Sequence, residues 1–140
     1  MATLAAYTVE ASLEATDAAT VRLTETASRF LGEIGLIGFE LAASEALTNI
    51  VRHSYGGSCA GTIGVTLETS PEDLTLTLSD EGRAAPPGLF ERPAALDRVD
   101  HPVPREDGWG IGLLHQCAQS VRYRREAEFN VLVLTFQTQN

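Results

Sequence analysis

The sequence predicts an α+β domain of two layers, in which a mixed, mostly antiparallel sheet is covered on one face by three helices. Two pairs of short alternating segments predict two hairpins, and three segments with helical spacing of apolar residues predict the helices. The chain has 140 residues, of which 44% are hydrophobic and 21% are charged. This composition fits a single globular domain, residues 1–140, with a substantial core.

The first third of the chain predicts one strand and two helices. Residues 4–13 alternate weakly and fit an edge strand, and Thr16 or Asp17 can cap the helix that follows. Gly32 and Gly35 mark the end of this first helix, whose apolar positions are Ala19, Leu23, Ala27, Phe30, Leu31 and Ile34. The second helix runs from about Gly38 to Ser54, with a core arc of Phe39, Ala43, Ala46, Leu47 and Ile50.

The remaining segments predict two hairpins, a long loop and a third helix. Gly56 and Gly57 end the second helix, and residues 62–68 and 74–79 then alternate across a turn at 70–73. Residues 83–107 contain five of the six prolines and no clear period, and a loop of this length is usually functional. Residues 108–113 open the third helix, and residues 120–125 and 130–137 form the second hairpin. The inward positions of this last region are Leu113, Leu114, Cys117, Ala118 and Val121.

Charge and cysteine content exclude several classes of function. The formal net charge is −9, and the ten basic residues are all arginines. Direct nucleic-acid binding is disfavoured because phosphate contacts need clustered basic residues, and a P-loop is excluded because it needs a lysine. Cys59 and Cys117 belong to no metal or redox motif, so we expect reduced, partly buried thiols. No targeting segment or membrane span is expected, which makes the cytoplasm the expected location.

Glu45, Asn49 and His53 stand four residues apart on the second predicted helix, so helical geometry places them on one face. The resulting stripe borders the apolar arc of this helix rather than opposing it, which favours a site over the alternative of a solvated polar face. Asparagine is a weak helix former, and its carbonyl oxygen suits a hard cation such as Mg²⁺.

Two further motifs follow along the chain. The strand at 74–79 leads directly into Asp80, with Gly82 two residues later, which fits a carboxylate that accepts a hydrogen bond from a ligand amino group. Gly108, Gly110 and Gly112 alternate at the start of the third helix, where free backbone amides can surround an anion. A dinucleotide fingerprint does not fit, because Leu113 stands where its last glycine would be. Separately, each motif also fits an ordinary turn or loop.

The order of these motifs resembles the nucleotide-binding boxes of the GHKL ATPases, which include gyrase and the histidine kinases. The match is closest to the small anti-sigma factor serine kinases, whose helix often reads like residues 44–55, SEALTNIVRHSY. The resemblance covers essentially the whole chain and implies the Bergerat, histidine kinase-like ATPase fold with ATP and Mg²⁺ as cofactors. One departure is Ala84, which replaces the second glycine that many relatives carry after the first.

The resemblance also implies a role for each matching residue. Asn49 would bind Mg²⁺, and Glu45 would be the general base. Asp80 would accept the adenine amino group, with Gly82 beside it, and residues 83–107 would form the ATP lid. The phosphates would lie near a set of residues that comprises Arg52, His53, Arg105, Gly108, Gly110, Ile111, Gly112 and Leu113.

The function implied is an ATP-dependent serine kinase and anti-sigma factor. It would phosphorylate a STAS-domain anti-anti-sigma protein and sequester a sigma factor, with a homodimer as one expected assembly and no membrane partner. A non-catalytic binding module of the same fold remains open because of Ala84. A catalytic domain detached from a histidine kinase is disfavoured, since the chain has no segment with a phosphoacceptor histidine.

Overall fold

A computed structural model describes residues 1–58, 60–91 and 110–138 as a five-stranded antiparallel sheet covered by helices. The strand order is β1-β2-β3-β5-β4. The strands are β1 Ala2–Glu10, β2 Thr62–Thr69, β3 Asp73–Asp80, β4 Ser120–Glu126 and β5 Phe129–Gln137. The helices are α1 Leu13–Ala27, α2 Glu33–Asn49 and α3 Ile111–Cys117, and α2 continues into a π-helical turn, Ile50–Ser54. The α+β prediction is therefore confirmed.

All four strand pairings in the described sheet are antiparallel. The sheet is therefore purely antiparallel, whereas the prediction also allowed some parallel pairing. Parallel neighbours would need a crossover between them, whereas β2–β3 and β4–β5 are joined by short turns. The first of these turns lies where it was predicted, and Ser70 N–H donates to Asp73 O at 2.8 Å. Alternate side chains of β2, β3 and β5 are buried against the helices, and β1 is an edge strand as expected.

The first helix begins and ends earlier than the sequence indicates. Ser12 is its N-cap, since the Ser12 hydroxyl accepts from Ala15 N–H at 3.1 Å, so the predicted caps Thr16 and Asp17 are wrong. Thr16 instead lies one turn inside the helix, buried, and donates to Ser12 O. The helix stops at Ala27. Phe30 and Leu31 pack against the core from the connecting turn, which extends the apolar periodicity beyond the helix itself.

The second helix starts at Glu33 rather than Gly38, with Gly32 as its N-cap. Ile34 therefore belongs to this helix and is 86% exposed, which corrects its assignment to the core of the first helix. The predicted core arc is confirmed, and the Phe39 ring packs edge-to-face on Phe136, with centroids 4.9 Å apart. The 22-residue segment Glu33–Ser54 has the length and mean hydropathy (1.4) of a membrane span. In this structure the segment is a core helix, and core helices meet the same two criteria.

The third helix is short and only partly inward-facing. Leu114 and Ala118 are buried as predicted, whereas Leu113, Cys117 and Val121 are half-buried. The Cys117 thiol is free, and burial raises its pKa, in agreement with the expected reduced thiol. Cys59 lies outside the described residues.

The π-helical turn after Asn49 alters the predicted polar stripe. Within it Tyr55 N–H donates to Ile50 O at 3.1 Å, five residues back, and Gly56 and Gly57 then end the helix with φ of 62° and 78°. A π turn holds more residues than an α turn and often marks a functional position. Glu45 and Asn49 keep their shared α-helical face, but His53 is rotated away from the position that α-helical spacing predicts.

Candidate functional site

Asp80 is the buried centre of the site, with only 4% of its surface exposed. It is the last residue of β3 and lies opposite Asn130 in the β3–β5 register. Asp80 Oδ1 accepts hydrogen bonds from Asn130 Nδ2 at 2.8 Å and from Gly82 N–H at 2.9 Å. The neighbouring strand and the turn after β3 thus both hold the same carboxylate oxygen.

Burial raises the pKa of the Asp80 carboxyl above its ordinary value of 3.8. The hydrogen bonds from Asn130, Gly82 and the Ser54 side chain, together with the charge of Arg125, oppose this rise without cancelling it. A carboxylate is costly to bury unless donors satisfy it. Asp80 is therefore held at an energetic cost, which is typical of a group retained for a ligand.

Asn130 is a site residue that the sequence analysis missed. Its amide also donates to Arg83 O at 3.0 Å, while its Oδ1 accepts from Arg125 Nη1 at 3.0 Å and from the Tyr123 hydroxyl. The available signal was position: Asn130 starts the alternation that continues with Leu132, Leu134 and Phe136 on the inward face of β5. An amide at an inward strand position needs specific partners.

Glu45 lies against the start of α3. Gly110 precedes this helix with φ of 62°, and a Cβ at Gly110 would collide with the Glu45 carboxylate. Both the backbone conformation and the close approach therefore require glycine here. Ile111 and Gly112 are buried behind it, and Leu113 is half-buried. Predicted residues Gly108 and Arg105, with most of the predicted lid, lie outside the described residues.

Asn49 is related to both Glu45 and Asp80. It is 4% exposed, lies one helical turn beyond Glu45, and lines a small cavity together with Asp80 and Asn130. Among the residues that the structure describes, no three His, Cys, Asp or Glu side chains are grouped to hold a metal ion. A Mg²⁺ site here would instead rely on one amide oxygen and on phosphate oxygens, which suits a cation that keeps few protein ligands.

Three other predicted residues, Arg52, His53 and Gly82, are not among the residues that line this cavity. Arg52 is exposed and His53 is half-buried, and the His53 carbonyl accepts from Arg83 Nη2 at 3.1 Å. A Cβ at Gly82 would collide with the Ser54 carbonyl, so Gly82 lets the end of β3 pass directly against the π-helical turn. Arg83 N–H donates to Ser54 O at 2.8 Å at this crossing, which fixes Asp80 relative to Asn49.

Comparison with known proteins identifies the family. Residues 5–136 match the family described as the histidine kinase-like ATPase domain. The chain belongs to this family. A domain of this family implies ATP as the ligand, and the residues of the site fit it: a buried carboxylate can accept from an amino group, an amide oxygen can bind a cation, and a glycine precedes the helix start.

Two known proteins are similar to this chain, one in sequence and one in fold. It is 30% identical over 95 residues to the serine/threonine-protein kinase BtrW of Bordetella bronchiseptica, covering 68% of this chain and 66% of BtrW. Its structure resembles the solved RsbU and RsbW domains of Rv1364c from Mycobacterium tuberculosis, with a TM-score of 0.62 over 97% of this chain and 33% of that one. The identity there is 14%, so this second likeness establishes the fold alone.

Proposed function

We propose that this chain is an ATP-dependent serine kinase and anti-sigma factor, which phosphorylates a STAS-type anti-anti-sigma protein and sequesters a sigma factor. Family membership and the likeness to a serine/threonine-protein kinase support the reaction class. The observation that carries the proposal is the position of Glu45, which lies against Gly110, one helical turn from Asn49. A carboxylate is thereby held between the proposed metal ligand and the proposed phosphate loop.

At the adenine end of the site, Asp80 would accept a hydrogen bond from the adenine amino group. Asn130 and Gly82 N–H both occupy Asp80 Oδ1, so they fix the orientation in which the second carboxylate oxygen meets a donor. A site built to hydrogen-bond an amino group disfavours a base that lacks one, because the buried carboxylate then loses a hydrogen bond.

At the phosphate end, the side chain of Asn49 would hold Mg²⁺, which when bound neutralises part of the phosphate charge. The backbone amides of Ile111 and Gly112 would face the phosphates, whereas Leu113 N–H already donates to Gly110 O at 3.1 Å and would only adjoin them. By resemblance, Arg52, His53, Arg105 and Gly108 would complete this region. The ten arginines and absent lysines of the chain fit a phosphate site built from backbone amides rather than from a lysine.

Glu45 would act in the transfer step. It is half-buried, so a serine of a partner protein can reach its carboxylate. Glu45 accepts the proton of the serine hydroxyl while the serine oxygen bonds to the γ-phosphorus and the bond from that phosphorus to ADP breaks. The products are phosphoserine and ADP, and the proton resides on Glu45 until solvent removes it.

A second function is favoured by two observations, Ala84 and the small volume beside Asp80. The cavity that Asp80 and Asn49 share is only about 20 Å³, and Ala84 replaces a glycine at the start of the predicted lid. Both fit a cytoplasmic regulatory module, monomeric or homodimeric, that binds partner proteins with nucleotide as a structural ligand or without it.

The experiment is incubation with labelled ATP, Mg²⁺ and each STAS-domain protein of the source genome, read out by phosphoserine mapping. We expect phosphate on one partner serine with the wild type and none with Glu45→Ala or Asn49→Ala. Glu40→Ala is the matched control, because Glu40 is an exposed carboxylate on the same helix. Nucleotide binding without transfer supports the regulatory module, and transfer by Glu45→Ala contradicts the role of Glu45.

A further inference from the structure

The segment that follows Gly82 folds back over the Asp80 cavity. Ala85 and Phe90 both line this cavity. The Phe90 ring stacks on Tyr123 with centroids 4.9 Å apart and an angle of 20° between the rings. The Phe90 carbonyl is hydrogen-bonded to His115 Nε2 at 2.9 Å, and Ala85 N–H donates to the Tyr123 hydroxyl at 3.0 Å. The segment is therefore fastened at both ends to β4 and α3.

The space left beside Asp80 cannot hold a purine. The cavity volume is about 20 Å³, which is room for roughly one water molecule. Most of its walls belong to fixed core elements, because Ala46 and Leu132 are buried in a helix and a strand. Phe90 belongs to a less buried part of the wall: it is half-buried and lies in a turn closed by the 3.2 Å hydrogen bond from Glu91 N–H to Gly88 O.

We propose that Phe90 is a plug that occupies the base-binding position and must withdraw before a nucleotide can reach Asp80. This inference rests on the nucleotide site proposed above and adds a control element to it. The Tyr123 hydroxyl contacts both Ala85 and Asn130, so movement of the plug is linked directly to the Asp80–Asn130 pair. A ligand that binds only the open form loses apparent affinity in proportion to the open fraction.

The test is calorimetric titration of the full chain with ADP, which needs neither a partner nor catalysis. An open population of about one tenth would weaken the apparent affinity about tenfold, so we expect Phe90→Ala to tighten ADP binding about tenfold, or ~1.4 kcal/mol. Phe90→Trp should weaken binding, because a larger ring fills the same position. Leu89→Ala is the matched control, since Leu89 lies in the same turn but does not line the small cavity.

The two Phe90 variants separate a plug from a stacking platform for the base. If Phe90 stacked on adenine, the alanine variant would bind more weakly and the tryptophan variant at least as tightly as the wild type. That pattern, or equal affinities for all three proteins, would overturn the inference while leaving the nucleotide site intact. Absence of ADP binding by every folded variant, checked by circular dichroism, would instead refute the nucleotide site itself.

Discussion

Replacing Asp80 with asparagine should change nucleotide affinity and stability in opposite directions. In the ADP complex, the variant presents an amide N–H₂ where the carboxylate oxygen would meet the adenine amino group. A hydrogen bond to a charged group contributes about 1.5–3 kcal/mol, so ADP affinity should fall roughly 10- to 150-fold. The asparagine retains an oxygen that can accept from Asn130 and Gly82, as Oδ1 does at 2.8 and 2.9 Å.

The gain in stability follows from the direction of the pKa shift. Burial, the largest influence, raises the Asp80 pKa above 3.8, so the ionised form is disfavoured in the folded protein. This cost is absent below the ordinary pKa, grows as the pH rises from that value through the folded pKa, and is fully present above the folded pKa. Asp80→Asn removes it, and we expect a gain of about 1 kcal/mol, or roughly 3 °C in Tm for a domain of this size.

The assays are ADP calorimetry at pH 7 and thermal unfolding at pH 7 and at about one pH unit below the ordinary carboxyl pKa of 3.8. The stability gain of Asp80→Asn should be present at pH 7 and lost at the acidic pH, where Asp80 is protonated in both states. Asp17→Asn is the matched control on an exposed helix position. A variant that is less stable at pH 7 and binds ADP like the wild type would contradict both the cost of burying the Asp80 carboxylate and its role in binding adenine.

Three further predictions concern other parts of the site. Asn49→Ala should remove the increase in ATP affinity that Mg²⁺ confers while leaving Mg²⁺-free ADP binding within about threefold (~0.7 kcal/mol), and equal Mg²⁺ dependence in calorimetry would contradict its role as metal ligand. Gly110→Ala should destabilise the fold by about 1–2 kcal/mol through its positive φ alone, and by more through collision with Glu45. Denaturant unfolding of the double variant Gly110→Ala/Glu45→Ala should recover only the part of the lost stability that comes from the collision. Gly38→Ala is the control and should be tolerated, because its Cβ would meet nothing closer than 3.5 Å. Tyr55→Phe should cost about 1 kcal/mol, because the hydroxyl accepts from Glu81 N–H at 2.9 Å and donates to Thr62 O at 2.8 Å; an unchanged Tm would show that water replaces both bonds.

Periodicity was sufficient for most of the fold, and its errors lie at the ends of helices. The β2–β3 and β4–β5 hairpins were predicted because alternation and turn residues are local signals. The boundary between α1 and α2 was misplaced because Phe30 and Leu31 pack against the core from a turn, and a one-dimensional pattern does not distinguish this from continued helix. Ser12 was missed as a cap because Thr16, one turn later, is also a good capping residue.

Site residues that lie within one local motif could be predicted from the sequence. Site residues that meet only because two distant elements pack together could not. Glu45 and Asn49 share one helical face, so their spacing alone brings them together. Asn130 reaches Asp80 only through the β3–β5 register, which joins residues fifty positions apart. Phe90 enters the cavity through the path of a turn, and the π-helical turn changes the direction of His53; neither has a signature in the sequence.

A crystal structure of the chain with Mg²⁺ and ADP would show whether the cavity between α2, β3 and β5 is a nucleotide site. The adenine amino group should lie within hydrogen-bond distance of Asp80, Asn49 Oδ1 should bind the metal, and the phosphates should lie beside Gly110. Phe90 should be withdrawn from its position on Tyr123. ADP bound elsewhere, for example in the cleft of about 910 Å³ beside β4, with Phe90 still next to Asp80, would contradict this placement of the nucleotide.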